Sequence, residues 1–500
     1  MVRIAGVRGA AVALGAAWLL TGWWERPAAG QATEPRLPGA VTSCPAWLKS
    51  GAPFDMTAFF AEPPAGKNAA PLYFPAFAEF GPEVDACLPP PEKGRGQIPE
   101  ATDRARRIGE LYGVMDKTPE SLDRKALDAL LAELNDGYRK LAGVQRRPEC
   151  AFAVGLTPDS LLPHAQAART VARAVCLRIF RDAEKGNLER AIPDLAMILR
   201  LSRDLRPRGP AIVQLVSGAI DGIALLESLP AILRSPTLKV AHCDRLVALL
   251  REHDAGLDRF VTGAKAEYVM QRTFLRACQE KRLAQAGPDG RPFDKLLSIT
   301  DAAEMVVATL NMATPDQKPA QANSVAAVEV LLRAHTPAWP QERRALDEIA
   351  RAMTAPGPIR YADRIRQIEE LKVKHLGGRI PDSLWVAQAC AFPYDTQALS
   401  IARVDAYNRA SQGLAAIRRW QLAHGGESPA SFEAACKEAG LPAVPVDPFP
   451  LAPMKATVID GRPVVYSIGP DGVDDKGRND SNLGRRPQGD LVFRLPEPAK

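Results

Sequence analysis

Two histidines and a cysteine in one predicted helix are the first candidates for chemistry. His242, Cys243 and His253 lie in or at the end of a helix predicted over residues 238–253. Zinc ligands on one helix are normally one turn apart, whereas His242 and His253 are eleven residues apart, or about 16 Å along a helix axis. The two imidazoles are too far apart to bind one ion on a straight helix. The pattern therefore indicates ordinary helix histidines.

Signatures of nucleophilic and nucleotide chemistry are missing from the chain. It contains no Gly-x-Ser-x-Gly, His-Glu-x-x-His, Gly-x-x-x-x-Gly-Lys-Ser/Thr or Gly-x-Gly-x-x-Gly sequence. Arg203-Asp204 with Arg206 and Arg208, and the pair at residues 369–370, are predicted to be surface ion pairs. Enzyme activity is therefore disfavoured. Because catalytic residues can be scattered along a chain, an envelope hydrolase remains the alternative, with its site between the helical body and the Pro-rich segment described below.

Bulk composition is that of a soluble globular protein with a weak net charge. Of the 500 residues, 46% are apolar and 24% are charged, and Lys plus Arg exceed Asp plus Glu by 64 − 58 = 6. This length predicts two or more domains. A nucleic-acid-binding protein would show a clustered basic face, but no run of Lys and Arg is longer than two residues. We predict no nucleic-acid partner.

The N-terminus has the pattern of a secretory signal. Arg3 and Arg8 precede an uncharged apolar run at residues 9–24, and small residues follow at 28–32. The run is 16 residues long, shorter than the roughly 20 that span a membrane. We predict a cleaved signal at residues 1–32 and a periplasmic or extracytoplasmic location. The alternative is an inner-membrane anchor that touches the membrane only through residues 4–24.

The eight cysteines are too sparse for a scaffold built on disulfides. If disulfides form, the first candidate pairs are Cys44 with Cys87 and Cys390 with Cys436. The interpretation favoured for most of them is the free, buried thiol.

Three further regions follow the signal. Residues 33–99 are rich in proline and are predicted to be extended and irregular, although their aromatic clusters indicate packing against another part of the chain. Residues 100–395 are predicted to form a helical domain, and residues 396–500 a long helix with a small β module. The helices predicted within the domain include one starting after Asn187 and others at residues 211–229, 238–253, 257–284, 320–335 and 340–352.

Residues 211–229 are the most apolar interior stretch. Gln214, Asp221 and Glu227 interrupt it, and a charge at the centre of a bilayer costs about 2.5–3.5 kcal/mol on insertion scales. The stretch is therefore predicted to be a core helix rather than a membrane span.

The tail begins with a helix predicted at residues 397–424, which carries one apolar stripe and ends at Gly425-Gly426. A second, short helix is predicted at residues 428–439. Strands are predicted at 464–467 and 491–493, around a loop rich in aspartate.

Three stretches of this tail, at residues 421–426, 441–449 and 466–472, have a familiar order. They resemble the end of the long helix, the Leu-Pro-x-x-Pro-x-Asp-Pro-aromatic element and the Tyr-Ser-x-Gly-x-Asp-Gly element of type II secretion major pseudopilins. The resemblance covers about residues 397–494, and it is shared by large bacterial exported proteins with such a tail. It predicts a mostly α fold: a multi-helix antiparallel body with a small C-terminal α+β, pseudopilin-like module.

In the pseudopilin family the acidic loop holds a calcium ion. The resemblance implies calcium binding here too, with Asp471 at the matching position. Calcium takes six to eight oxygen ligands on a bendable loop, and three glycines would let this loop fold back. The alternative is a solvated turn held by Asx hydrogen bonds and salt bridges, because nearby basic residues offset the carboxylates. The calcium ligands implied by the resemblance are Asp471, Asp474, Asp475, Asp480 and Asp490.

The function expected from these features is that of an exported, non-enzymatic scaffold or interaction protein of the cell envelope. Its partners would be other envelope proteins. A third hypothesis is an assembly component that docks on a secretion or pilus-like machine through its tail.

Overall fold

The structure is a computed structural model that describes residues 40–41, 44–84, 87, 99–155, 162–255, 258–280, 339–355, 357, 359–376, 394–478 and 489–497. Within these residues the chain is mostly helical, with a small sheet region near the C-terminus. The prediction of a mostly α fold with a small C-terminal β region is confirmed at this level. The predicted signal at residues 1–32 and the predicted helix at 320–335 lie outside the described residues.

The Pro-rich segment contains three short helices: α1 (Ala46–Lys49), α2 (Met56–Phe59) and α3 (Ala70–Phe77). The prediction of an extended, irregular segment is wrong for these stretches. Proline is tolerated in the first turn of a helix, where Pro71 lies in α3. The predicted packing is confirmed, because Tyr73 and Phe77 are completely buried.

The first part of the helical body consists of helix pairs joined by short connections. α7 (Pro163–Glu184) and α8 (Leu188–Leu205) are joined by residues 185–187, and Gly186 has a left-handed φ of 73°. A side chain at Gly186 would overlap Thr237, so glycine is required there for both reasons. The helices of this part are α4 (Pro99–Lys117), α5 (Arg124–Glu133), α6 (Asn135–Val144), α7 (Pro163–Glu184) and α8 (Leu188–Leu205).

The most apolar helix lies in the core, as predicted. α9 (Ala211–Gly222), a π-helical turn (Ile223–Ser228) and α10 (Leu229–Arg234) form one continuous helix of 24 residues. Among the described residues, this helix is long and apolar enough to cross a membrane, but 61% of its apolar window is buried inside the protein. Core helices of soluble proteins share this length and composition.

α15 (Tyr394–Ala423) is the central helix of the second half. It was predicted to bury one stripe, but no residue of α15 before Leu422 is exposed. The single-stripe prediction is wrong because the helical body covers one side of α15 and the C-terminal module covers another. The helices of this half are α11 (Val240–Asp254), α12 (Arg259–Glu280), α13 (Trp339–Met353), α14 (Tyr361–Leu376), α15 (Tyr394–Ala423) and α16 (Phe432–Glu438).

The strands form small antiparallel sheets. In the three-stranded sheet, β6 is central and pairs with both β5 and β7. The inner face of this sheet carries Val465 of β6 and Leu491 and Phe493 of β7, and it belongs to the same apolar core as the helical body. Its outer face carries Tyr466 and Val492. The strands are β1 (Ala40–Val41), β2 (Val154–Gly155), β3 (Val446–Asp447), β4 (Ala452–Pro453), β5 (Lys455–Ile459), β6 (Arg462–Ser467) and β7 (Leu491–Arg494).

The six cysteines whose side chains the structure describes form no disulfide bonds. Neither of the two pairs singled out from the sequence is formed, since Cys44, Cys87 and Cys436 are all unpaired. Except for Cys44, which is half-buried, they are packed in the core, as favoured from the sequence.

Candidate functional site

Of the aspartate-rich loop between β6 and β7, the structure describes residues 468–478 and 489–490, and the part at Gly477 lies on the outer face of the sheet. A side chain at Gly477 would lie 3.3 Å from Tyr466 and 3.4 Å from Ile459, so the loop backbone sits directly on this face. Gly477 is itself buried. The loop therefore covers apolar surface that the module would otherwise expose to water.

Two of the predicted ligands hold the ends of this loop by accepting backbone hydrogen bonds. The amides of Gly477 and Asp475 donate to the buried carboxylate of Asp490, at 2.6 and 3.4 Å. The amides of Val473 and Gly489 donate to Asp471, at 3.1 and 2.5 Å. Each carboxylate thus satisfies amides that would otherwise lack partners in a turn.

Asp474 has a different set of partners. It accepts hydrogen bonds from Lys455 Nζ at 2.5 Å, from the Lys476 amide at 2.9 Å and from the Tyr466 hydroxyl at 3.2 Å. The hydrogen bond from Lys455 holds the pKa of Asp474 below its usual range. Burial has the opposite effect on Asp490 and raises its pKa.

The fit to calcium can be judged only for the described residues, and Asp480 lies outside them. Within the described part of the chain, no three His, Cys, Asp or Glu side chains are arranged to hold a metal ion. Amide and ammonium donors, which would repel a cation, point at Asp471, Asp474 and Asp490. The described geometry thus matches the turn held by Asx hydrogen bonds and salt bridges, and calcium binding stays a prediction.

Replacing Asp490 by Asn tests both interpretations. The asparagine side chain accepts hydrogen bonds only through its oxygen, so one of the two backbone N–H groups of the loop would face the NH₂ group instead. We expect the free energy of unfolding to fall by about 1–3 kcal/mol. Urea titrations in calcium and in chelator should show the same loss, with Asp460→Asn as an exposed control from the same module. If chelator alone lowers the free energy of unfolding of the wild-type protein to that of Asp490→Asn, calcium holds the loop.

Sequence reasoning missed Asp447 as a site residue, although it lies in the motif at residues 441–449. Asp447 is 2% exposed and accepts hydrogen bonds from the Ser467 hydroxyl at 2.8 Å and from the Ile468 amide at 3.0 Å. It therefore joins the β3 segment to the start of the aspartate-rich loop. Burial raises its pKa, and the Phe449 amide opposes that shift.

A second polar constellation is completely enclosed by helices. Asp221, at the end of α9, is 0% exposed and contacts Arg259 of α12, Arg206 at the end of α8 and His253 of α11. Asp405 of α15 lies 3.9 Å from Arg259. We call these residues the Asp221 cluster; it joins five helices.

The charges of the Asp221 cluster depend on one another. Burial alone would raise the pKa of Asp221, but Arg259, His253 and Arg206 together hold it well below its usual range. Burial lowers the pKa of His253, and Asp221 opposes this shift. Burial and the neighbouring Arg259 lower the pKa of Arg206 to about 10. The sequence had suggested an ordinary helix histidine at 253, and in the structure it is buried in this ion cluster.

The prediction of surface ion pairs at residues 203–208 is wrong for three of the four residues. Asp204, Arg206 and Arg208 are 4%, 2% and 6% exposed. The Tyr73 hydroxyl donates to Asp204 at 2.7 Å, and Arg208 pairs with Glu62 at 2.6 Å. Tyr73 and Glu62 both belong to the Pro-rich segment, so the packing of this segment on α8 buries Asp204 and Arg208.

His242 caps its own helix. Its Nδ1 accepts from the Lys239 amide at 3.1 Å, and its Nε2 lies 3.1 Å from Glu189. It thus satisfies a backbone donor at the start of α11.

An open groove of about 340 Å³ lies between α8 and α11. Its floor is apolar, and it has a basic and an acidic residue at its rim. The residues that line it are Ile192, Pro193, Ala196, Arg245, Ala248, Leu249 and Glu252.

No protein-family model matches this chain, and no curated protein or solved structure matches it.

Proposed function

We propose that the protein is an exported, non-enzymatic interaction scaffold of the cell envelope that presents a pseudopilin-like module on a rigid helical body. The observation that supports this most directly is the burial of α15. α15 packs against α9, α11, α12 and α14 of the body, and it also carries the sheet. A side chain at Gly413 would overlap Phe432 and contact Val465, so the module sits directly on the helix.

Burial of α15 also bears on how the module could act. The long helix has no exposed face before Leu422 with which a second copy could pack. The module is therefore proposed to serve as a fixed docking element rather than as a polymerising subunit.

Exposed apolar side chains support a role in protein contacts. Among the described residues, six large hydrophobic side chains are exposed, and four of them belong to the module. Isolated exposed apolar residues are common, but their concentration on one module is typical of a contact surface. These four are Val446, Leu451, Val458 and Val473, and the other two are Leu72 and Leu422.

Site-specific photo-crosslinking in cells tests the docking role. A photoreactive residue at position 458, where Val458 is 58% exposed, should give a discrete adduct with an envelope protein. The matched control is position 72 on the Pro-rich segment, where Leu72 is 39% exposed and should give none. Equal labelling from the two positions, or no adduct from 458, contradicts the proposal.

Fractionation tests the export. The full chain should be recovered outside the cytoplasm, and a chain lacking residues 1–32 should remain inside. Recovery of the full chain in the cytoplasm with Met1 retained contradicts this part.

The alternative of an envelope hydrolase predicts a site between the helical body and the Pro-rich segment. In the described part of that boundary the space is filled by packed side chains, including Phe60, Tyr73 and Phe74, which are 4%, 0% and 3% exposed. Such packing supports a structural contact there, and the hydrolase stays a prediction.

A further inference from the structure

One face of α12 carries polar residues that are buried against two other helices. Gly263, Glu267 and Gln271 follow one another at four-residue intervals and so share a face. Gln214 of α9 and Gln397 of α15 contact this face at Gly263. We call these five residues the polar seam. Gln397, Gln214, Gln271 and Glu267 are 0%, 1%, 5% and 7% exposed.

Hydrogen bonds satisfy the polar seam only in part. The Ala211 amide, in the first turn of α9, donates to Glu267 at 2.8 Å. Gln214 Nε2 donates to the Arg206 and Gly209 carbonyls, but Gln214 Oε1 has no partner. Neither polar atom of the Gln397 amide has a partner. Buried groups of this kind are expensive to leave unpaired, so the seam is a weak point of the core.

The polar seam is also closely packed. A methyl group at Gly263 would overlap the Gln397 amide and lie 3.1 Å from the Gln214 side chain. Water can therefore enter this contact only if the helices separate. The unpaired Gln397 Nε2 is then available to donate to an ionised carboxylate.

Among the described residues Glu267 has no counter-ion, unlike the charged groups around it. On the segment before α9, Arg208 pairs with Glu62. On α13, Asp347 pairs with Arg272, and Glu342 is buried with partners of its own. On α15, the Tyr394 hydroxyl accepts from Gln271 Nε2 of the seam at 3.2 Å. On α1, Lys49 is exposed.

Burial raises the pKa of Glu267 to about 7, and the Ala211 amide opposes this shift. The carboxyl group is therefore neutral in the folded chain under mildly acidic conditions.

We infer that the polar seam is a pH-sensitive joint: α9, α12 and α15 pack closely while Glu267 is protonated and separate to admit water when it ionises. The inference does not depend on the proposed function. α12 and the α1–α2 segment packed on it would respond to the pH around the protein.

The direction of the effect follows from proton linkage. The folded chain binds the Glu267 proton more tightly than the open form, so the stabilisation is complete below the ordinary glutamate pKa of about 4.3. It is lost as pH rises toward about 7, the pKa of Glu267 in the folded chain. Opening thus becomes up to tenfold more favourable per pH unit across that window.

Hydrogen exchange, corrected for intrinsic rates, tests the joint. Between pH 5 and pH 8, the opening equilibrium of α12 amides in wild type should rise by up to about 100-fold. Glu267→Gln should keep α12 protected at both pH values. Glu252→Gln, a change of an exposed glutamate on α11, should behave like wild type.

Two outcomes would overturn the inference: wild-type α12 protection that does not change with pH, or a pH dependence that survives in Glu267→Gln. If Glu267→Gln fails to fold, infrared titration of the wild-type protein decides the matter. A buried carboxylic acid band that converts to carboxylate near neutral pH, together with exchange in α12, supports the joint. Conversion at the pH at which a free glutamate ionises contradicts the inference.

Discussion

Asp221→Asn should lower the free energy of unfolding by about 3–5 kcal/mol, because it removes the central carboxylate from a buried cluster and leaves cations unpaired. Arg259 and Arg206 are 5% and 2% exposed and cannot regain solvation without local unfolding. Asn keeps the shape of the side chain, so the loss reports charge rather than packing. Urea unfolding at neutral pH, followed by circular dichroism, measures it.

Two comparisons make this result interpretable. Glu189→Gln removes an exposed partner of Arg245 and His242, and it should leave stability almost unchanged because exposed pairs contribute little. Replacing Asp221 by Leu together with Arg206 and Arg259 by Met should recover most of the loss, since an apolar substitute avoids the desolvation of buried ions. A loss for Asp221→Asn as small as that for Glu189→Gln would contradict the cluster's structural role.

Leu491→Ala is expected to destabilise the whole chain by about 2–5 kcal/mol, through lost burial and the cavity left behind. Leu491 is 0% exposed, and it shares one apolar core with the helical body. Tyr407 of α15 and Phe493 of β7 are also in contact, with ring centroids 5.4 Å apart. The module and the body should therefore unfold in one transition. Calorimetry, together with the tryptophan and tyrosine signals followed during unfolding, can test whether there is one transition.

Val458→Ala is the matched control for Leu491→Ala. Val458 lies on the same sheet but is 58% exposed, so its truncation should cost less than about 0.5 kcal/mol. The alternative outcome is two separate unfolding transitions, with Leu491→Ala shifting only the transition of the module. This outcome would show that the module is an independent domain. The proposal of a module held rigidly on α15 would then fail.

Sequence patterns were most informative where periodicity and burial agree. The helix predicted to start after Asn187 corresponds to α8, in which Ala191, Leu195 and Ile198 recur at helical spacing and are 0% exposed. The strands at residues 464–467 and 491–493 were predicted from short apolar runs, and they correspond to β6 and β7. A local period records which face of an element is buried, so one sequence suffices for it.

The polar sites were much less predictable. Asp221 and Arg259 are 38 residues apart, and Tyr73 and Asp204 are 131 residues apart. A charged residue looks the same in sequence whether it lies on the surface or in the core. Its state depends on which distant partner the fold brings to it, so Asp204, Arg206 and Arg208 were predicted to be exposed and are buried.

By itself, the sequence determined the helical character of residues 100–255, the short strands of the tail and the order of the module's elements, because hydrophobic spacing and turn residues act over a few positions. Only the tertiary structure decided that α15 is covered on nearly all sides, that five helices meet at Asp221 and that Glu267 lies in a seam without a counter-ion. These features depend on contacts between segments far apart in the chain. Desolvation and charge pairing there are set by neighbours that no local pattern identifies.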